Sequence, residues 1–388
     1  MKKVFCLTWL LVLLVLILAA CAKKATPAVA PGATTGSAAT TAATATSAPA
    51  ATATTAPRAA RTLNVSVGAG QDTSQVLVFL PATVSIRVGD TVIWKIKGDE
   101  IHSATFMDDV LFPPFAVPVP GGGPTDLMFN PKIAFPTRPP GGPVETYSGT
   151  GYVNSGAFSK ESPAPGIPAN DTFSLTFNKP GIYAYFCMIH LSNMRGTVIV
   201  ESATATGLPS QADIDKQAKA EEDALLGIIK AARQQAKDAL KEPGPGGTTV
   251  WTVHAGALDI TTGDERAQPF EFMPKDLTVK AGDTVFWTSP YFHTATFDPS
   301  PTAAEFIVPK PQPQGLPVLS LNPRVLFAVK PVTTFDPAKY FNSSALGPFT
   351  PVTFFSLTFD KPGKYDYFCA VHRELGMKGT INVQPKSP

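Results

Sequence analysis

Two stretches of the chain alternate polar and apolar residues with the period of a half-buried β-strand. They lie at 83–88 and 276–281, and each leads through a Gly-Asp turn into a second apolar run that ends on Trp94 or Trp287. Alternate residues of a strand point to opposite faces, so this pattern predicts strands with one face in a core. Lys-Pro-Gly at 179–181 and at 361–363 predicts a tight turn between two aromatic strands.

These stretches belong to two copies of one longer pattern. The sequence at 79–94 recurs at 272–287, the sequence at 174–187 recurs at 356–369, and Tyr-Val-Asn-Ser at 152–155 is echoed at 340–343. Short strands separated by turns, repeated at this period, predict a duplicated antiparallel Greek-key sandwich. We therefore expect an all-β fold with two tandem β-sandwich domains, at 62–201 and 248–388.

A helical pattern separates the two copies, within a linker at 202–247. Apolar residues fall on one stripe at helical spacing between 210 and 241: Ile214, Ala218, Leu225, Ile229, Ala232, Ala236 and Leu240. Ser210 with Asp213 predicts the start of the helix, and Pro and Gly at 243–247 predict its end. The stripe fits either a long spacer docked on the sandwiches or a surface for self-association.

The N-terminal residues 1–20 have the pattern of a signal peptide, with Lys2 and Lys3 before an apolar run too short for a confident membrane span. The run ends on Leu-Ala-Ala-Cys21, which resembles the lipobox of bacterial lipoproteins. That resemblance implies cleavage before Cys21 and a lipid on its sulfur. The alternatives are an ordinary signal peptide and an uncleaved anchor.

Residues 21–61 consist almost entirely of Ala, Thr, Pro and Ser after the cysteine, and such a segment has little to bury. It is expected to be a disordered tether that holds a soluble body at a bacterial membrane. The body is then extracytoplasmic, on the periplasmic or cell-surface side.

Composition narrows the function classes further. The chain of 388 residues has a formal net charge of +2, which argues against a nucleic-acid partner because phosphate binding needs a basic face. Its 39 prolines argue against long helices as the main element. Four cysteines cannot build a disulfide scaffold, and removal of Cys6 with lipidation of Cys21 leaves Cys187 and Cys369 as thiols.

Four of the five histidines occupy matched places beside these two thiols. Each copy has one upstream His, then Cys-x-x-His, then Met after three or four intervening residues: His102, Cys187, His190 and Met194 in the first, His293, Cys369, His372 and Met377 in the second. A soft thiolate, two imidazoles and a weak thioether suit a blue copper centre. Met188 competes with Met194, but Met-Arg-Gly-Thr at 194–197 matches Met-Lys-Gly-Thr at 377–380 and favours Met194.

Both copies resemble cupredoxins of the plastocyanin, amicyanin and auracyanin kind, through Tyr-x-Tyr-Phe-Cys-x-x-His and the Met-[Arg/Lys]-Gly-Thr that follows. The resemblance implies one type 1 copper ion per domain, two per chain, held by the eight residues above. The first copy departs from the plastocyanin-like spacing, with three residues rather than four between His190 and Met194. Ser103 and Thr294 stand where smaller relatives usually have Asn, and their hydroxyls could brace the ligand loop.

Long insertions, at 107–168 and 298–352, separate the upstream His of each copy from its Cys. Both are rich in Pro, Gly and Phe. Loops this long in a compact domain are usually functional or disordered. They could flank the copper end and form a docking surface, or they could only cover the sandwiches and pack the domains together.

Electron transfer with redox protein donors and acceptors is the function that this pattern favours, because all four ligand positions are filled by protein. Laccases and nitrite reductases share a His next to the copper Cys. Here the neighbours are Phe186 and Met188, or Phe368 and Ala370, so the chain is not expected to be an enzyme. A copper-handling or adhesive surface protein is the alternative. The oligomeric state is left open.

Overall fold

The computed structural model describes residues 58–108, 111–139, 142–161, 169–300, 302, 304–327, 334–347 and 352–386. The expected signal peptide, Cys21 and most of the tether lie outside the described residues. Within the described part of the chain, no helix combines the length and the apolar character that crossing a membrane requires.

The first repeat consists of short strands and one helical turn. Its elements are β1 (Thr62–Ala69), β2 (Ser74–Leu80), β3 (Thr83–Arg87), β4 (Thr91–Ile96), β5 (Thr105–Phe106), β6 (Ala116–Pro118), β7 (Leu127–Phe129), α1 (Pro131–Ala134), β8 (Glu145–Tyr147), β9 (Val153–Asn154), β10 (Thr172–Phe177), β11 (Gly181–Cys187) and β12 (Leu191–Glu201).

A helix and a second series of strands follow. These are α2 (Gln211–Ala236), β13 (Leu240–Pro243), a 3₁₀ turn (Pro245–Gly247), β14 (Thr249–Ala255), β15 (Ala267–Pro269), β16 (Phe272–Met273), β17 (Asp276–Lys280), β18 (Asp283–Thr288), β19 (Thr296–Phe297), β20 (Ile307–Lys310), β21 (Val318–Leu321), α3 (Pro323–Leu326), β22 (Phe341–Asn342), β23 (Phe354–Phe359), β24 (Gly363–Phe368) and β25 (Lys378–Gln384).

Each repeat contributes two main sheets. Their strand orders are β15-β2-β1-β4-β10-β8 and β3-β12-β11-β5-β9 around the first repeat, and β13-β14-β18-β23, with β16 on β14, and β17-β25-β24-β19-β22 around the second. Side chains from both sheets of a repeat share one buried cluster, with Trp94 at the first and Trp287 at the second. Both tryptophans are fully buried and lie at the centre of their aromatic contacts.

The expectation of purely antiparallel sheets is wrong. β1 is parallel to β4 and β3 is parallel to β12, and the second repeat has the same arrangement in β14 with β18 and β17 with β25. In each parallel pair, the chain forms at least one other strand between the two partners. Strands that are adjacent in the sheet are therefore not consecutive in sequence. Alternation within a strand records which face is buried and carries no information on this order.

Helix α2 begins at the predicted place. The Ser210 side chain accepts a hydrogen bond from the Asp213 N–H, and the Asp213 carboxylate accepts one from the Ser210 N–H, which is a capping box. The predicted helical end is wrong, because the helix stops at Ala236 and Leu240 lies on β13, exposed and paired with β14. Strand pairing there satisfies the backbone groups that a longer helix would have used.

The apolar stripe of α2 packs on both repeats. Leu225 and Ile229 contact a cluster formed by β2 and Ala267, and Ala232 packs with Ala257 and Met273 of the second repeat. The helix is therefore docked along the sandwiches, as one of the two interpretations of its stripe expected.

The two insertions pair with each other. Strands β6 and β7 of the first insertion and β20 and β21 of the second form one sheet, in which Met128 pairs with Ser320. Beneath it, Phe129, Ile133 and Leu321 pack around Met188, next to Cys187. The insertions thus lie beside the ligand loop of the first repeat and join the two repeats, and the docking surface stays a prediction.

Candidate metal centres

A short loop between two antiparallel strands places the Cys and the second His of each repeat. In the first repeat β11 ends at Cys187 and β12 begins at Leu191, so His190 lies at the turn. In the second, the Cys369 N–H donates to the Met377 carbonyl (3.0 Å) and the Met377 N–H to the His372 carbonyl (3.2 Å), which closes the loop.

The upstream His arrives from the start of a neighbouring strand. His102 lies shortly before β5 and forms an isolated bridge with Phe158, and His293 lies before β19 and bridges Leu346. β5 pairs with β11 and β19 pairs with β24. The sheet itself therefore brings residues about eighty positions apart in sequence to one end of each sandwich.

Three predicted ligands converge in each repeat. In the first, the Nδ1 atoms of His102 and His190 are 3.1 Å apart and the Cys187 Sγ lies 3.5 Å from the His190 Nδ1. In the second, the Nδ1 atoms of the two histidines are 2.9 Å apart, and the Cys Sγ lies 3.9 and 3.7 Å from them. The three donor atoms of each set all lie within 4.8 Å of one another.

The two methionines are fully buried in the same clusters as the cysteines: Met194 with Cys187, and Met377 with Cys369. Met188, the competing residue, packs instead in the cluster under the insertion sheet. The packing thus favours Met194 over Met188 at the first centre.

The electrostatics of both centres suit a soft metal ion. Burial lowers the pKa of every predicted histidine ligand, to about 4 for His190 and about 3 for His293, so the rings are neutral and keep a lone pair for a metal. Burial raises the pKa of both thiols, so a bound cation must displace the proton from sulfur. One sulfur and two imidazole nitrogens, largely buried and already close together, fit copper.

Backbone groups prepare each sulfur to carry negative charge. The Ser103 N–H points at the Cys187 Sγ (3.3 Å) and the Thr294 N–H at the Cys369 Sγ (3.4 Å). The hydroxyls of the same two residues accept the N–H of Met188 (2.8 Å) and of Ala370 (2.7 Å), directly after each cysteine. The expected hydroxyl brace of the ligand loop is present in both repeats.

Two glycines that the sequence reasoning missed lie directly behind the upstream histidines. A Cβ on Gly68 would come within 2.4 Å of the His102 ring, and one on Gly256 within 2.7 Å of the His293 ring. Both glycines also have positive φ, 64° and 74°. The sequence could have revealed both glycines, because Gly-Ala occurs at matched places in the two copies. It lies at 68–69, at the end of the first strand of the first copy, and at 256–257, directly after the first long strand of the second.

A third missed residue, Glu100, lies between the two centres. One carboxylate oxygen is 3.9 Å from the His190 Nε2, and the other is 4.0 Å from the His372 Nε2. Burial raises its pKa to about 8, against a smaller opposing effect of the Ile101 N–H. A metal cation nearby favours the ionised form instead. The one hint of this residue in the sequence is that the two copies differ here: Glu100 lies two residues before His102, whereas Tyr291 lies two residues before His293.

Comparisons with known proteins find copper-binding relatives. Residues 349–384 match the family described as copper binding proteins, plastocyanin/azurin family. The chain is 29% identical over 130 residues to a plastocyanin of Prochlorothrix hollandica, with 34% of this chain and 75% of that protein aligned. It is 30% identical over 115 residues to a plastocyanin of Scenedesmus fuscus, with 29% of this chain and 86% of that protein aligned.

Among solved structures, a mutant plastocyanin of fern aligns with 36% of this chain and 99% of its own at 17% identity, with a TM-score of 0.21. The sequence relatives, one of them 30% identical over most of its own length, are the stronger finding. The chain therefore belongs to the plastocyanin/azurin family of copper-binding proteins.

Proposed function

We propose that this protein carries electrons between redox proteins outside the cytoplasm, using one type 1 copper in each of two tandem cupredoxin domains, 62–201 and 248–388. The segment 202–247 joins the domains, and a lipid on Cys21 holds the chain at a bacterial membrane. The observation that carries the proposal is the convergence, in both repeats, of one Cys and two His ligand atoms within 4.8 Å of one another.

Bound copper would supply a centre that changes by one electron between Cu(I) and Cu(II). His102, Cys187 and His190, with Met194, would hold it in the first domain, and His293, Cys369 and His372, with Met377, in the second. Sheets, loop hydrogen bonds and burial hold these side chains in place before a metal arrives. Little of the protein then has to move when the charge changes, which favours rapid electron exchange.

The absence of an enzymatic role is part of the proposal. Among the described residues, the groups of His, Cys, Asp and Glu able to hold a metal are these two sets. The residues flanking each cysteine, Phe186 with Met188 and Phe368 with Ala370, supply no imidazole for a further metal. The fifth histidine, His254, lies on β14 and pairs with Met273.

Absorption of the copper-loaded protein tests the proposal. We expect an intense thiolate-to-copper band that bleaches reversibly with a reductant, and about half of it should be lost in Cys187→Ser and half in Cys369→Ser, because each sulfur serves one copper. Met188→Leu, a buried change outside both donor sets, should keep the band. Loss of all colour in either serine variant would refute independent sites. Copper released on reduction would favour copper handling.

The membrane attachment has its own test. Cys21→Ser should move the chain from the membrane fraction to the soluble fraction and remove the mass of the lipid, because a tether without acyl chains has no membrane affinity of this kind. A lipid mass that persists in the variant would contradict lipidation at Cys21.

A further inference from the structure

The outer edges of the second histidines of both centres face one carboxyl group. Each ring turns its Nδ1 toward its own donor set and its Nε2 toward Glu100, at 3.9 Å from His190 and 4.0 Å from His372. The three side chains are largely enclosed, with 16% of His190 and 9% each of Glu100 and His372 exposed. Imidazole is a conjugated ring, so each ring connects its Nδ1 to its Nε2 electronically.

The position of Glu100 is fixed by the contact between the repeats. Its N–H donates to the Gln75 side chain (3.2 Å), and Gln75 on β2 pairs with Gln268 on β15 of the second repeat. Phe270, which follows β15, lies on the His372 ring with the ring centres 4.2 Å apart. The strand pairing that joins the repeats therefore also sets the carboxyl group between the two imidazoles.

We propose that Glu100 couples the two centres, so that an electron passes between them through His190, the Glu100 carboxyl group and His372. This inference rests on the proposed function. In each exchange, Cu(I) held at one centre would lose one electron, and Cu(II) held at the other would gain it. No protein bond is formed or broken, no proton is transferred, and an external redox protein supplies the first electron.

The geometry can be tested without metal. In the metal-free protein we expect Glu100→Ala to shift the imidazole ¹⁵N signals of both His190 and His372. Asp99→Asn is the matched control, because the neighbouring Asp99 carboxylate bonds to Lys160 and to the Asp72 N–H instead. It should shift neither signal. A response of only one ring, or of neither, would overturn the placement of Glu100 between the centres.

The electron path is tested by flash reduction of the copper-loaded full chain. Every chain carries Met377→Gln, which makes the second centre differ from the first in colour and potential because the axial ligand tunes both. Less than one electron per chain is injected, and its redistribution between the two bands is followed. We expect Glu100→Ala to slow redistribution about tenfold or more, the scale on which outer partners of metal ligands act.

Two further variants make the result specific. Glu100→Gln keeps the bridging atoms and should retain the rate within about threefold, and Asp99→Asn should leave it unchanged. Glu100→Leu fills the same space without polar atoms and replaces Glu100→Ala if the alanine variant does not fold. It should slow the redistribution of the electron by the same factor. If both blue bands are present and the rate of electron redistribution is unchanged in the alanine or leucine variant, the path through Glu100 is refuted. A chain without blue bands refutes the proposed function instead.

Discussion

At the scale of single residues, the upstream histidines depend on a glycine behind each ring. Gly68→Ala places a methyl group against the His102 ring at a φ of 64°. The left-handed conformation alone costs an L-residue about 1–2 kcal/mol, and the collision adds to it. We expect a lower free energy of unfolding and a shifted or weakened blue band from the first centre, with the band of the second intact.

Gly89→Ala separates strain from collision. Gly89 has a φ of 90°, and nothing lies within 4 Å of the Cβ that it lacks. This variant should lose about 1–2 kcal/mol of unfolding free energy and keep both bands unchanged. Equal spectral effects of the two alanine variants would show that His102 does not need the space at Gly68.

The hydroxyl next to each upstream histidine gives a second prediction. Ser103→Ala leaves the buried Met188 N–H without its acceptor, and Thr294→Val does the same to the Ala370 N–H. An unsatisfied buried donor costs about 1–3 kcal/mol. Urea unfolding of the metal-free variants should show this loss, while Ser202→Ala, at an exposed position, should change the free energy little. Similar values for all three would contradict the brace.

At the scale of the elements, helix α2 stabilises the molecule through the buried part of its stripe. Ile229 is 1% exposed and packs on the cluster of β2 and β15. Ile229→Ala should lower the free energy of unfolding by about 2–5 kcal/mol, because it removes buried methyl groups and leaves a cavity. Lys230→Ala on the exposed side should stay within about 0.5 kcal/mol. A small effect of Ile229→Ala in urea would mean that the helix is not docked in solution.

The end of that stripe shows where local pattern fails. Spacing alone assigned Leu240 to the same face as Ile229, yet Leu240 lies on β13 and is 62% exposed. The start of the helix was predictable because Ser210 and Asp213 satisfy its first N–H groups locally. The end of the helix depended on the pairing of β13 with β14, a strand that follows later in the chain. The spacing of apolar residues within the helix contains no information on that pairing.

At the scale of the whole molecule, one side chain of the first repeat is part of the core of the second. Leu77 lies on β2 of the first repeat but packs in the cluster of Trp287 and Cys369. We expect Leu77→Ala to cost about 2–5 kcal/mol and to disturb the band of the second copper centre more than that of the first. Leu63→Ala, equally buried but within the first core, should disturb the first. Each leucine variant is measured in Cys187→Ser, which leaves the band of the second centre, and in Cys369→Ser, which leaves the band of the first. A larger effect of Leu77→Ala on the first band than on the second would contradict the packing of Leu77 in the second core.

Sequence alone predicted the duplicated β repeats, the start of the helix and both donor sets, because strand periodicity, helix capping and Cys-x-x-His spacing are local features, and the strand and ligand patterns also occur in both copies. Only the tertiary structure decided that strands β1 and β4 run parallel, that the insertions form one sheet, and that Glu100 lies between two imidazoles. These features depend on which distant segments touch, as β2 and β15 do across nearly two hundred residues. Contacts of that kind arise from packing the whole chain and leave no periodic or duplicated signal in it.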